Sequence, residues 1–255
     1  MLRTRIMPCL LLKDGGLVKT IKFKDPSYVG DPINAIRIYN EKEVDELIFL
    51  DITATIENRP PPFKALSEIA SECFMPVTYG GGVRDLETIR QVLSLGIEKV
   101  SINSYAVENP DFIRAASERY GSSTIVVSMD VRRKSSGKYE VTTRGGQKGT
   151  GLDPVEFAVQ MDRMGAGEIL LNAIDRDGTQ EGYDIELIKI VCDAVGVPVI
   201  ACGGAGKIED FRAAVQEGGA SACAAGSMVV YFGRNRAVLI NFPEHKKLEA
   251  ILGEE

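Results

Sequence analysis

The feature that most constrains this chain is that it repeats itself. The segment from Met75 to Gly96, MPVTYGGGVRDLETIRQVLSLG, lines up with the segment from Val197 to Gly218, VPVIACGGAGKIEDFRAAVQEG. Pro76 falls on Pro198, Gly81 on Gly203, Ile89 on Phe211 and Gly96 on Gly218, and the same offset of 122 carries Glu46 onto Glu168. A repeat of nearly half the chain implies two similar units stacked in sequence. Short β-branched runs recur through both, at Arg5–Leu11, Glu46–Ile52, Met75–Tyr79, Lys99–Asn103, Thr124–Asp130, Glu168–Ile174, Val197–Cys202 and Ser221–Ala225. Amphipathic stretches of helical period separate them, among them Asp85–Leu95, Asp111–Tyr120, Pro154–Met164, Asp184–Ala194 and Ile208–Glu217. Strands alternating with helices predict parallel βαβ units, and the unbroken apolar runs LIFLDI and TIVVSMD suit strands buried on both faces. Two (βα)4 halves closing on each other predict an α/β fold, a (βα)8 TIM barrel with an internal two-fold half-barrel repeat. It is expected to fill residues 1–255 as one domain, since such barrels need about 250 residues. An open doubly wound sheet is the alternative, and it gives no reason for two equal halves.

Composition narrows the function. A net charge of -6 and a pI near 5.1 argue against nucleic acid as a partner, because that needs a dominant basic face. No apolar run reaches the 18 residues of a membrane span, and the N-terminal apolar run is too short for a signal peptide. Five cysteines without a CxxC pair read as reduced thiols in a cytoplasmic protein. His245 is the sole histidine, so acid–base chemistry falls to carboxylates, lysines or tyrosines. Asp175, Asp177 and Glu186 match three positions of a calcium loop, but Gln180 stands where that loop requires glycine, and no metal or other cofactor is expected.

In a barrel the chemistry sits on the loops after the strands. Gly80-Gly81-Gly82 follows the third strand and Gly203-Gly204-Ala205-Gly206 follows the seventh, each leading into a helix. Such loops either make a tight turn or let backbone N–H groups approach an anion. Their symmetric placement favours the second reading. One cradle is expected from Gly81, Gly82, Asn103 and Ser104, and another from Gly178, Gly203, Gly204, Gly226 and Ser227. A small-molecule ligand with two phosphates would span them. Asp51, Asp130, Asp175 and Asp177 stand at strand ends, where a carboxylate serves proton transfer or merely caps a turn; Asp130, after an apolar run, is the sharpest candidate for the former. At the opposite end, Arg5, Glu46, Lys99 and Glu168 enter strands one, two, four and six. They face solvent or, aimed along the axis, close a neutral salt-bridged ring.

The stretches RIMPCLLLKDG, GDP at 30–32, DELIFLDITAT, YGGGVRD, EKVSINS, AVENP, GAGEILLNAIDRDGT, GYD and ACGGAGKIEDF carry a resemblance. Over nearly its full length the chain resembles the cyclase subunit of imidazole glycerol phosphate synthase. The resemblance implies a lyase-type synthase subunit of a glutamine amidotransferase complex. A glutaminase would dock on the strand-start face, with Glu98 in the docking surface. Ammonia would pass the gate formed by Arg5, Glu46, Lys99 and Glu168 and cross the barrel to a bis-phosphate nucleotide. Lys19, Asp130 and Asp177 match active-site positions. The family's other catalytic aspartate, at the end of strand one, is here Leu11, and Asp14 lies three residues further on. Leucine transfers no proton, so intrinsic cyclase activity is not expected. The ending YFGRNRAVLINFPEHKKLEAIL, with Gly233 and Pro243 interrupting any long helix, resembles a paralogous branch associated with sugar amidation in surface-polysaccharide synthesis. There a separate sugar amidotransferase receives the ammonia. The alternatives are a true cyclase of histidine biosynthesis and a non-catalytic scaffold that activates a glutaminase.

Overall fold

The structure is a computed structural model that describes residues 3–233 and 235–253. Eight parallel strands form its centre: β1 (Arg5–Lys13), β2 (Leu47–Asp51), β3 (Val77–Gly80), β4 (Lys99–Ile102), β5 (Ile125–Arg133), β6 (Glu168–Ala173), β7 (Val199–Cys202) and β8 (Ala222–Ala225). Each pairs with the next, and β8 pairs back onto β1 through Arg5↔Ala222 and Pro8↔Ala225, so the sheet closes into a barrel. Eight helices surround it: α1 (Pro32–Glu41), α2 (Phe63–Glu72), α3 (Leu86–Ser94), α4 (Asp111–Tyr120), α5 (Pro154–Arg163), α6 (Ile185–Cys192), α7 (Ile208–Gln216) and α8 (His245–Leu252). This is the (βα)8 barrel expected from the repeat, and closure excludes the open sheet.

Local chemistry starts the helices where the strands deliver the chain. Asp31, Asp85, Asp153 and Asp184 each cap a helix by accepting a backbone N–H two or three residues on, and Pro32 and Pro154 occupy first-turn positions that need no N–H donor. Alternation along each strand then splits the apolar side chains between two cores. Met7, Cys9, Ile48, Val126, Leu170, Ile200, Cys202, Ala222 and Ala224 fill the barrel axis. The opposite faces pack against the helices, burying Phe49, Tyr79, Ile89, Leu187 and Phe211 completely. No helix among the described residues is long and apolar enough to cross a membrane.

Two features exceed the expected strand boundaries. β1 runs past Leu11 and pairs antiparallel with Gly16–Ile21, which pairs with Lys24–Gly30. β5 likewise runs past Asp130 to Arg133 and pairs with Tyr139–Thr143, which pairs with Lys148–Gly149. The first strand of each half thus continues into an antiparallel hairpin above the barrel. The hairpins show in topology a repeat that the aligned sequence segments do not reach. After β8, Tyr231–Phe232 and Ala237–Val238 form a further small hairpin, and α8 begins only beyond Pro243. Gly233 therefore lies in the hairpin turn, and Pro243 precedes an eight-residue helix that buries Leu248 and Leu252.

Candidate active site and axial charge ring

A cavity of about 330 Å³ opens at the strand-end mouth, and both glycine-rich loops line it. In the first, Gly81 has φ +128°, and a Cβ there would stand 2.7 Å from the Asp51 carbonyl oxygen. In the second, Gly204 has φ +118°, and a Cβ would stand 2.2 Å from the Gly182 carbonyl oxygen. Only glycine lets these loops lie so close to neighbouring backbone; within them the Gly82 N–H donates to Thr55 Oγ1 at 3.4 Å and the Gly206 N–H to Asp210 at 2.8 Å. Ser104 and Ser227 each open a short helical turn at the edge of the mouth, after β4 and β8. Gly82, Asn103, Gly178, Gly203 and Gly226 also line the cavity, so it holds all nine expected cradle residues. The Asn103 amide is already engaged: its Nδ2 donates to the Ser128 carbonyl at 3.0 Å and to Asp130 Oδ2 at 3.2 Å.

The four strand-end aspartates separate by environment. Asp51 is a structural cap, accepting from the N–H groups of Thr53 and Ala54 while the Arg59 guanidinium grips it with two bonds of 2.7 and 2.8 Å. Asp175 accepts the Arg133 N–H at 2.7 Å and so holds the end of β5. Among the described residues Asp130 has no cationic partner. Desolvation in the mouth, with the Asp177 charge adding to it, pushes its carboxyl up to about 7, against a smaller opposing hydrogen bond from Asn172. Asp177 serves the first hairpin: its Oδ2 accepts from Thr20 Oγ1 at 2.8 Å and from the Phe23 N–H at 3.3 Å, and its carbonyl accepts from the Lys22 N–H. Burial raises the Asp177 carboxyl, while those bonds and the Lys19 ammonium pull it down.

Lys19 is carried into the cavity by the hairpin strand Gly16–Ile21 and is almost fully buried. Its Nζ donates to the Cys9 carbonyl, and burial lowers its pKa. Leu11 lies on the cavity wall, in register with Leu50 of β2, so the mouth opposite the polar strands is apolar there. Asp14 sits in the hairpin turn at φ +50°, outside the residues that line the mouth.

Sequence reasoning missed a thiol pair beneath these groups. Cys9 of β1 and Cys202 of β7 meet inside the barrel. A hydrogen bond from Cys202, followed by the Lys19 charge, draws the Cys9 thiol down despite burial, and the same contact pushes Cys202 up. The signal was available: Cys9 is two residues before Leu11, hence on the same inward face of β1. Thr20, Asn172 and Arg59 were missed as well, because their roles depend on partners far away in sequence.

At the other end of the barrel, Arg5, Glu46, Lys99 and Glu168 form a closed ring. Arg5 bonds Glu46 at 2.8 Å and also Glu168, while Lys99 bonds both carboxylates at 3.0 Å. Thr78 Oγ1 donates to Glu46 at 2.7 Å. Each acid meets both bases, and the ring carries no net charge. Ser101, two residues beyond Lys99 on β4, and Asn172, paired with Asp130, line the mouth cavity, and among the described residues their Oγ and Oδ1 are buried without a hydrogen-bond partner. Glu98, beside the ring, spends one carboxylate oxygen on the Val77 N–H at 2.7 Å.

Residues 5–235 match the family model described as histidine biosynthesis protein. A Pseudomonas aeruginosa protein, named provisionally as imidazole glycerol phosphate synthase subunit hisF2, is 51% identical over 249 residues, 98% of this chain and 99% of its own length. A Leptospira interrogans protein with a similarly provisional HisF name is 45% identical over 252 residues, covering 98% and 99%. The imidazole glycerol phosphate synthase subunit HisF of Alkaliphilus metalliredigens is 46% identical over 231 residues, covering 91% and 92%.

Proposed function

This chain belongs to the histidine biosynthesis protein family as a HisF-like subunit, and we propose that it receives ammonia from a glutaminase without itself closing an imidazole ring. The observation that carries this reading is Leu11. At the mouth of an otherwise assembled site, one wall is the Leu11–Leu50 pair rather than a carboxylate. Asp130 remains as the proton-transfer group, its carboxyl pushed up to about 7 by burial and the Asp177 charge, and Lys19 lines the same cavity. One positioned acid or base contributes about 10²–10⁴-fold in rate, so a site with half its pair binds better than it reacts.

The rest of the barrel suits ammonia delivery. The axial ring is electrically neutral, and Lys99 holds its side of the ring by a single ammonium on a flexible stem, whereas Arg5 holds the other by a planar fork. Moving Lys99 breaks two bonds and leaves both carboxylates paired to Arg5. Beyond it, the unpartnered polar atoms of Ser101 and Asn172 offer hydrogen bonds to a small polar molecule on its way to the mouth. Glu98 and the outward-facing Phe74, 88% exposed beside β3, belong to the glutaminase docking surface in this reading. The two glycine cradles bind the phosphates of the mouth ligand. The ammonia serves a separate sugar amidotransferase of surface-polysaccharide synthesis, in the cytoplasm, in keeping with five unpaired cysteines.

A cyclase of histidine biosynthesis is the second reading, favoured by the name of the Alkaliphilus metalliredigens relative and by the tuning of Asp130. The test of the first reading is glutaminase activation. Added to the glutaminase of the same organism, the barrel is expected to form a complex and raise glutamate release. Absence of both complex and stimulation would contradict ammonia delivery.

A further inference from the structure

We propose that Arg236 is the anion-binding side chain of the second cradle, supplied by the C-terminal hairpin and selecting a phosphate group there. The inference rests on the two-cradle reading above. The hairpin of Tyr231–Phe232 and Ala237–Val238 follows directly on the turn that Ser227 opens. Its tip closes with the Arg236 N–H donating to the Gly233 carbonyl at 3.1 Å, and Arg236 takes φ +49°, a left-handed conformation uncommon for a side chain of this size. That conformation accompanies a guanidinium folded back beside the second cradle, at the edge of the mouth and outside the residues that line the cavity itself. Nη1 donates to the Gly178 carbonyl at 3.1 Å and Nη2 lies 3.4 Å from Ser227 Oγ, while the group stacks 4.6 Å above the Tyr231 ring. Both polar partners are cradle residues, and both are uncharged.

Charge makes the placement informative. Among the described residues no carboxylate pairs with Arg236. Arg59, also beside the mouth, is consumed by Asp51 and Glu57. Guanidinium carries five N–H donors in a planar fork, and the two contacts to Gly178 and Ser227 leave donors free. A fixed, unneutralised fork beside glycine-loop N–H groups is the arrangement that binds a phosphate monoester with both charge and geometry. The chain's own repeat sharpens the argument. Ser104 and Ser227 open equivalent turns, but the chain after them differs: the first half goes on to α4, the second to the hairpin that carries Arg236. Arg236 is therefore an addition to the second half, whereas the first-half loop carries Arg84, whose counterpart at the offset of 122 is Gly206.

The experiment uses inorganic phosphate as the probe and the full-length chain. Crystals soaked in phosphate identify the sites, and a ³¹P titration gives the affinities. Wild type is expected to hold phosphate in both cradles. Arg236→Met should weaken the second cradle by roughly ten- to a hundredfold, the loss of a charge-assisted bond, and leave the first unchanged. Arg236→Lys, which keeps the charge without the fork, should fall between. Tyr231→Leu removes the shelf under the guanidinium but not its charge, and should cost less than Arg236→Met. Unchanged second-cradle affinity in Arg236→Met, or equal losses in Tyr231→Leu and Arg236→Met, would overturn the proposal by making Arg236 a hairpin anchor only. Phosphate in neither cradle of the wild type would overturn the two-cradle reading as well.

Discussion

Replacing Asp130 by Asn removes a charge that the fold holds at a cost, and that cost depends on pH in a direction the structure dictates. An aspartate in an unfolded chain titrates near 3.9, whereas burial and the Asp177 charge push Asp130 up to about 7. The folded state therefore keeps the proton over a range in which the unfolded state has released it. Stability associated with this group is greatest below the unfolded value and is lost as pH rises through about 7. At about 1.4 kcal/mol per unit, the two units between pH 5 and 7 amount to roughly 2–3 kcal/mol, with little further change by pH 8. Because the carboxyl opens on the cavity, water screens it and this is the upper end of the effect. Asparagine has the same shape and can still accept from Asn103, so Asp130→Asn should be more stable than wild type at pH 8, with the advantage shrinking toward pH 5. For a chain of this size the differential is roughly 5–10 °C in Tm. Thermal melts of both proteins from pH 5 to pH 8 measure it. Parallel curves would mean that Asp130 titrates normally, and the poised general acid–base would be lost from the account.

The charge ring should behave as a coupled unit. Lys99→Met leaves the Glu46 and Glu168 carboxylates with Arg5 alone and should cost about 3 kcal/mol or more in urea unfolding. Lys99→Met combined with Glu46→Gln should recover part of that loss, and strict additivity would show the four groups to be independent. Gly81→Ala should destabilise by about 1–3 kcal/mol, since φ +128° is denied to alanine and the new Cβ meets the Asp51 carbonyl at 2.7 Å. It should also abolish phosphate binding in the first cradle while sparing the second. Retention of phosphate there would remove Gly81 from the site.

The barrel was legible because its repeat is written in residues that strict geometry demands. Gly81 and Gly203 recur at one offset directly after β3 and β7, and Pro76 and Pro198 recur at the same offset directly before them. The ring was half legible. Two acids and two bases at strand starts suggested closure, but their inward aim depends on strand register around the barrel. The hairpins after β1 and β5 were missed because their strands begin as parallel barrel strands and change partners midway, which periodicity does not mark. Asp51 and Asp130 look alike in sequence, each ending an apolar run. Only the presence of Arg59 beside one and its absence from the other distinguishes a turn cap from a titratable group. The Cys9–Cys202 contact joins residues 193 positions apart in sequence; alternation marks Cys9 as inward-facing, but no local pattern names its partner.

Leu11 is where the central claim meets chemistry, and a cyclase assay with ammonium salt tests it most directly. The bis-phosphate nucleotide substrate of the cyclase family is supplied at saturating concentration, with wild type and Leu11→Asp in parallel. With Asp130 alone in place, wild-type kcat should be about 10⁻² s⁻¹ or less, below the ordinary enzymatic range by the contribution of the absent acid–base group. The loss should lie in kcat rather than in binding, because the proposed cradle residues all line the mouth. Leu11→Asp should raise kcat at some expense of stability, as a carboxylate enters a wall shared with Leu50. Wild-type turnover of about 1 s⁻¹ or above would contradict the account, return the chain to imidazole glycerol phosphate synthesis, and require another group to do the work of the absent aspartate.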